Sequence, residues 1–493
     1  MKKSSGLAKD IKLDLKRREL LAAALVLPLQ ACGGGGGGGG SGSSAGAEAP
    51  QSSAPVRATV SLNTAQPGAT LSSSFTGLSY EKGKLAVPLF TPMNTALINL
   101  FKLMGPSILR IGGNSNDKSS WKGTTAGLTV ITPAQVDALA DFLTATGWQV
   151  IYSINLPQNT LAAAADEAAY VANKLGSKLI GFEIGNEPDI YPINGLRPAS
   201  YSFSDFRTEW QAMAQAVRAA VPGCLLIGPA TGTDVTGYTV PFAQTEAASI
   251  AMLTQHYYRS NGLLPSSTLE LLLAPGTDAE LTSRLNAMVG AARSAGLSMG
   301  CRMGECNSYS RGGALGISNT YGTALWVIDF LFTLALKNCN GANLHGGGNT
   351  AGYTPIADND GVIEGPRPEF YGIKLFAEAA QGTALPATLT LTPFSNFTAY
   401  GVARPDGGRN IMLLNKSGTD AVGVTLNLGI AASNVAMMTL AAPALTSTSG
   451  VTLNGASISN SGAFQSVYVQ RSITNGQMQI DVAPATAILI KSA

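Results

Sequence analysis

Two short stretches place acids where an acid is costly. Gly181-Phe182-Glu183-Ile184-Gly185-Asn186-Glu187-Pro188-Asp189 and Met303-Gly304-Glu305-Cys306-Asn307-Ser308-Tyr309 each read as an apolar strand ending in a polar loop. Each delivers a glutamate, Glu187 or Glu305, at that end. A carboxylate there needs a task or a partner. Two of them on separate strands are what cleavage of a glycosidic bond requires, one as acid and one as nucleophile or base. In the retaining version Glu305 would attack the anomeric carbon and form a covalent glycosyl-enzyme. Glu187 would protonate the leaving oxygen, then activate the water that releases the sugar. The two carboxyls would stand about 5–5.5 Å apart, and Asn186 would reach the sugar's 2-hydroxyl.

Plainer readings stand beside these. Asn-Glu-Pro also suits a helix start, where Asn caps and Glu meets the positive end of the dipole. Glu183 shares the side of Glu187 only if the strand runs on regularly, so it reads as barrel interior. Arg110 reads as an ion-pair partner inside the fold, and of Tyr257 and Tyr258 only one can point inward. Other chemistries find little to work with. The chain has two histidines, His256 and His345, and no Gly-x-Ser-x-Gly elbow for a serine nucleophile. Its five cysteines form no C-x-x-C, so nothing calls for zinc, another metal or a cofactor.

The elements that must position these residues alternate. Apolar runs at 76–80, 107–111, 149–154, 179–184, 224–228, 251–256, 298–303 and 342–345 are separated by helical periodicity at 133–146, 161–175, 203–220, 278–295 and 319–336. Eight such strands over about 300 residues predict a (β/α)8 TIM barrel across 73–381. A doubly wound open sheet is the alternative, but no Gly-rich dinucleotide fingerprint follows the first strand. Chemistry in such a barrel sits at the C-terminal ends of strands. There the chain places Arg110-Ile111-Gly112-Gly113-Asn114, Asn186-Glu187, His256-Tyr257-Tyr258, Gly304-Glu305 and His345-Gly346-Gly347-Gly348-Asn349. Strands four and seven face one another across a barrel, which brings Glu187 and Glu305 within reach. Cys301 and Cys339 fall near the starts of the last two barrel strands and are expected to form a disulfide, while Cys306 reads as a small buried residue.

Beyond residue 381 the texture changes to Thr, Val, Ser and Ala in short alternating runs at 389–392, 397–402, 410–414, 422–428 and 487–490. This predicts a β-sandwich over 382–493. The strand-like segment 56–72 is expected to fold back into it, leaving that domain discontinuous. Residues 1–32 read as an export signal: seven Lys/Arg precede an apolar run from Leu20 to Leu29. That run is too short to span a bilayer. It ends Leu29-Gln30-Ala31-Cys32, which resembles a lipoprotein box with Cys32 lipidated, and Arg17-Arg18 looks like a twin-arginine signal. An uncleaved anchor is the competing reading. Residues 33–55 form a Gly/Ser-rich tether. From Cys32 on, the chain holds 25 basic and 27 acidic residues, which excludes the strongly basic balance of a nucleic-acid binder.

The segments Leu109–Asn114, Glu183–Pro188, His256–Tyr258 and Gly304-Glu305, with Tyr309 and Gly312-Gly313, together resemble glycoside hydrolase family 79, the β-glucuronidases and heparanases of clan A. The stretch Leu440–Phe464 is similar to that family's C-terminal sandwich. The resemblance implies Glu187 as acid/base and Glu305 as nucleophile, with Tyr257 near Glu305 and Asn114 lining the sugar pocket. It also implies that Tyr309 and Gly312 hold the C6 carboxylate of a glucuronic-acid-containing glycan, with Tyr353 matching another pocket tyrosine. The chain departs from the family there, with Tyr309 four residues past Glu305 rather than five. Lys82, Lys84, Lys118, Lys122, Arg197, Arg259 and Arg311 follow strand ends and could favour such an acidic sugar; ordinary surface charge is the other reading. The expected protein is an exported, monomeric retaining β-glucuronidase, attached to a membrane only through a lipid anchor. A clan A enzyme for neutral pentosides and a non-catalytic carbohydrate-binding lipoprotein are the alternatives.

Overall fold

A computed structural model describes residues 56–275, 278–347 and 352–492. The leader, the tether, Cys32, Gly348 and Asn349 lie outside the described residues.

Eight parallel strands close into a barrel. In chain order they are Thr76–Glu81, Ile108–Gly112, Gln149–Ile154, Leu179–Ile184, Leu226–Thr231, Met252–Tyr258, Cys301–Asn307 and Ala342–Gly346. The eighth closes on the first in a register from Ala342 opposite Thr76 to Gly346 opposite Tyr80. Most of these strands are buried along nearly their whole length, because helices cover one face and inward side chains fill the other. That burial is why they read as continuous apolar runs.

The covering helices end where their sequence says they should. Pro133–Thr146 begins with a capping box between Thr132 and Gln135 and stops at left-handed Gly147. Phe203–Ala220 begins with a similar box between Ser202 and Asp205. Tyr321–Leu336 is different, being buried almost all round. A helix apolar on every side must be covered on every side, and this one packs between the barrel and a second β-layer.

That second layer is a β-sandwich whose strands form one continuous hydrogen-bonded path. The long strand Gly382–Thr392 joins its two sheets: its first half pairs with Phe397–Ala403 and its second with Val56–Leu62. Val56–Leu62 also pairs with Val422–Asn427. Val60, Ile411, Leu413, Val424, Leu426 and Ile490 fill the space between the sheets. On the barrel side, Asp329 of the buried helix accepts hydrogen bonds from Thr398, Tyr400 and Lys416. The Phe332 ring stacks on Tyr400 at 4.7 Å. The sandwich thus clamps the helix that follows the Glu305 strand.

The expected disulfide is absent. Cys301 and Cys339 are free thiols, with the Cys339 sulfur donating to backbone carbonyls of Cys301 and Gly341 at 3.6 and 3.5 Å. Being at neighbouring strand starts brings two cysteines close, but a bridge needs the right Cβ geometry as well. Among the described residues no helix is long and apolar enough to cross a membrane.

Candidate active site

The centre of the barrel mouth is Arg110. It is fully buried on the second strand and its guanidinium reaches the fourth strand, the turn after it, and the seventh strand. Nε donates to Glu183 Oε2 at 2.7 Å, one Nη to Glu305 Oε2 at 2.9 Å, and the other to Asn186 Oδ1 at 2.9 Å. Glu183 is completed by Thr254 and Ser153 hydroxyls at 2.8 and 3.2 Å. The Glu305-bound Nη also reaches the Ser79 hydroxyl at 3.3 Å, and a buried ion group of this kind is tolerated because its charges are paired and hydrogen-bonded. The Arg-Ile-Gly-Gly spacing follows from that crowding. A Cβ on Gly112 would lie 2.8 Å from the Arg110 guanidinium carbon, and one on Gly113 would lie 2.6 Å from the Glu81 carboxylate.

Glu305 sits near the end of the seventh strand and is almost wholly buried. Besides Arg110 it accepts the Tyr258 hydroxyl at 2.8 Å, and His345 Nδ1 stands 3.7 Å from its other oxygen. Burial alone would raise its pKa, but His345, His256, Arg110 and the Tyr258 hydrogen bond outweigh burial and hold it well below the usual carboxylate range. Glu305 is therefore an anion at any ordinary pH. Burial depresses the His345 pKa, while Glu305 and Glu81 more than restore it, for a net rise. Glu81, ending the first strand, lies 3.6 Å from His345 Nε2 and accepts the backbone amides of Asn114 and Ser115.

Glu187 lies just past the fourth strand, its side chain 13% exposed, with His256 Nδ1 3.0 Å from its Oε1. An oxygen of Glu187, an oxygen of Glu305 and a ring nitrogen of His256 all lie within 4.8 Å of one another. These three are the one group among the described residues whose geometry could hold a metal ion. Two of the three are the glutamates that the sequence places at strand ends.

The sixth strand corrects one expectation. Its inward residues are Thr254, His256 and Tyr258, which reach Glu183, Glu187 and Glu305. Tyr257, expected near Glu305, points outward: its hydroxyl donates to Asp278 and its ring stacks on Phe330. Strand alternation forces this, because residues 256 and 258 share a side. The same alternation, applied to His256, identifies Tyr258 in the sequence.

Tyr309 is a second correction. It is buried, its hydroxyl donates to the Thr268 carbonyl at 2.7 Å, and it is spent on packing the loop. Gly312, with φ 83° and open space where a Cβ would stand, accepts the Tyr353 amide at 3.1 Å. The Tyr353 ring lies 5.6 Å from Tyr258 and 5.9 Å from His345, which sets Tyr353 beside the residues around Glu305. Asn114 is exposed beside Glu81, and Asn186 is fixed by Arg110. Sequence reading gave no role to His256, His345 or Glu81. Lys82, Lys84, Lys122, Arg197 and Arg259 each pair with a carboxylate, Glu167, Asp358, Asp166, Glu209 and Asp278 respectively. The loop cations therefore give little independent attraction for an acidic sugar.

Known proteins resemble this arrangement. A 4-O-α-L-rhamnosyl-β-D-glucuronidase from Fusarium oxysporum 12S superposes with a TM-score of 0.72 at 19% identity, over 88% of this chain and 99% of that one. The likeness is one of fold, a closed barrel of eight parallel strands with a β-sandwich. A family 51 arabinofuranosidase from Xanthomonas axonopodis pv. citri matches at TM-score 0.62 and 17% identity, over 89% and 100%. In sequence, a β-glucuronidase of Aspergillus niger is 27% identical over 327 residues, 59% of this chain and 60% of that protein. One from Neurospora crassa is 27% identical over 226 residues, 40% and 39%. The chain thus spans less than two thirds of the length of these curated relatives. No protein-family profile matches it.

Proposed function

We propose that this protein is a retaining β-glycosidase acting on β-D-glucuronides, with Glu305 as nucleophile and Glu187 as acid/base. One observation carries the reaction type: carboxylate oxygens of Glu187 and Glu305 come within 4.8 Å at the mouth of the barrel. That is shorter than the separation of an inverting pair and close to the retaining one. The environments divide the labour. Glu305 is buried among positive charges and stays ionised, ready to attack. Glu187 is more open and hydrogen-bonded to His256, where it can exchange protons with leaving group and water.

The sugar assignment draws on the two fungal β-glucuronidases similar in sequence and on the resemblance to family 79. The Tyr353 ring stands beside Tyr258, which holds the nucleophile, and its hydroxyl is a donor suited to a C6 carboxylate. Whether the glucuronide is terminal or internal to a heparan sulfate-like chain rests on the loops that flank the cleft. Residues 1–32 are consistent with export and lipid attachment at Cys32, acting as a monomer. The neutral-pentoside reading keeps some force from the pairing of the loop cations and from the arabinofuranosidase fold match.

Hydrolysis of 4-nitrophenyl β-glucuronide, beside a defined heparan sulfate oligosaccharide and aryl pentosides, separates these readings. Release from the glucuronide with a β-configured first product supports the proposal. Activity on pentosides alone overturns the sugar assignment, and an α-configured first product overturns the mechanism.

A further inference from the structure

The backbone that carries Glu187 is held in an uncommon shape. Glu187 itself has φ 52° and ψ 56°, a left-handed conformation that costs free energy for a residue with a Cβ. Gly185, two residues earlier, has φ 84°. The turn is pinned at three successive amides. Gly185 N donates to the Ile154 carbonyl at 2.9 Å, and Glu187 N to the Ala230 carbonyl at 2.9 Å. Those anchors are backbone atoms of the third and fifth strands, so no side-chain change removes them.

The middle amide depends on side chains. Asn186 N donates to the Tyr191 hydroxyl at 3.3 Å, and it also meets the Asp117 carboxyl, which Tyr191 reaches as well. Asp117 accepts Asn116 Nδ2 at 2.9 Å, and that amide also donates to the Ile154 carbonyl at 3.2 Å. Tyr191 is fully buried and Asp117 is 2% exposed. The fit around the phenol leaves no slack: a Cβ on Gly185 would stand 2.6 Å from the Tyr191 oxygen. Burial pushes the Asp117 pKa up to about 8 despite the nearby Lys82. Near neutral pH it is thus a carboxylic acid that can donate and accept.

We propose that Asp117 and Tyr191 are positioning residues for Glu187, holding the Asn186 amide so that the Glu187 carboxyl meets the leaving-group oxygen. The inference rests on the acid/base reading of Glu187. Neither residue touches the nucleophile among the contacts described above, and Arg110 still holds the Asn186 side chain at 2.9 Å, so their loss weakens proton donation more than sugar binding or attack.

The test is a leaving-group series. kcat/KM is measured for aryl β-glucuronides from 2,4-dinitrophenyl to phenyl with wild type, D117A, Y191F and D117N, beside thermal melting. Expected is a loss of roughly tenfold or more on the phenyl glycoside, little change on the dinitrophenyl one, and recovery in D117N. Uniform loss across the series, or a lowered melting point with unchanged leaving-group dependence, overturns the proposal. If D117A does not fold, Y191F decides. A wild type inactive on every glucuronide refutes the sugar assignment instead, and the series is then run on aryl pentosides with the same criteria.

Discussion

The Tyr258 hydroxyl donates to Glu305 Oε1 at 2.8 Å, opposite the oxygen that Arg110 holds at 2.9 Å. The two donors fix the carboxylate plane from both sides. Burial and the Glu305 charge push the Tyr258 pKa well up, so it remains a donor throughout the working pH range. Y258F should lower kcat by roughly ten- to a hundredfold, the worth of one hydrogen bond to a charged group. Y257F should spare kcat and lower the melting temperature, because Tyr257 serves Asp278 on the outer side of the strand. Steady-state kinetics and melting curves on the pair check this; equal kinetic losses would refute the assignment of sides.

Removing the proposed nucleophile has a separate signature. E305Q keeps the shape of the site, so turnover should fall by roughly a thousandfold or more while binding of a glucuronide survives. Calorimetric titration beside the rate assay reads both. Rates like wild type would remove Glu305 from the mechanism.

Loss of Glu187 should depend on the leaving group. E187A should slow phenyl glucuronide far more than a dinitrophenyl one. Azide should restore turnover of the activated substrate, giving a β-glucuronyl azide. An equal loss on both substrates with no azide product would contradict the acid/base role.

The pH dependence follows from the charges around Glu305. Its pKa is depressed by folding, so its ionisation contributes stability above the unfolded value, and that stability is lost as pH falls through the folded one. The net rise at His345 has the opposite sense: its contribution is present below the unfolded value and lost as pH rises through the folded value. The acidic limb of kcat/KM should therefore lie below the ordinary glutamate range. H345Q removes one of the charges and should move that limb upward. A limb that stays in place would mean another group sets it.

Much of this architecture is legible in the chain because burial on both faces makes barrel strands unmistakable. The spans 149–154, 179–184, 133–146, 161–175 and 203–220 coincide with their sequence reading. The misses have physical causes. The seventh strand runs to Asn307 rather than Met303, because a buried glutamate looks like a strand end until Arg110 is seen to neutralise it. The fifth runs past Pro229 to Thr231, where proline reads as a stop. Gln477–Val482 is polar on its outer face and escaped notice, though Met478, Ile480 and Val482 alternate inward.

At the site, strand position alone located the two glutamates. Their supporting contacts were harder to see. His345 meets Glu81 because closure of the barrel sets the eighth strand beside the first, and no local pattern announces a contact across 264 positions of sequence. Tyr258 was within reach of simple alternation from His256, and the family resemblance pointed one residue away.

The most direct test of the central claim is to trap the intermediate. The protein is incubated with 2-deoxy-2-fluoro-β-D-glucuronyl fluoride, digested, and the labelled peptide sequenced by mass spectrometry. The account predicts one fluoroglucuronyl ester, on Glu305, forming as activity is lost. An adduct on another residue, or loss of fluoride with no adduct at all, would contradict it.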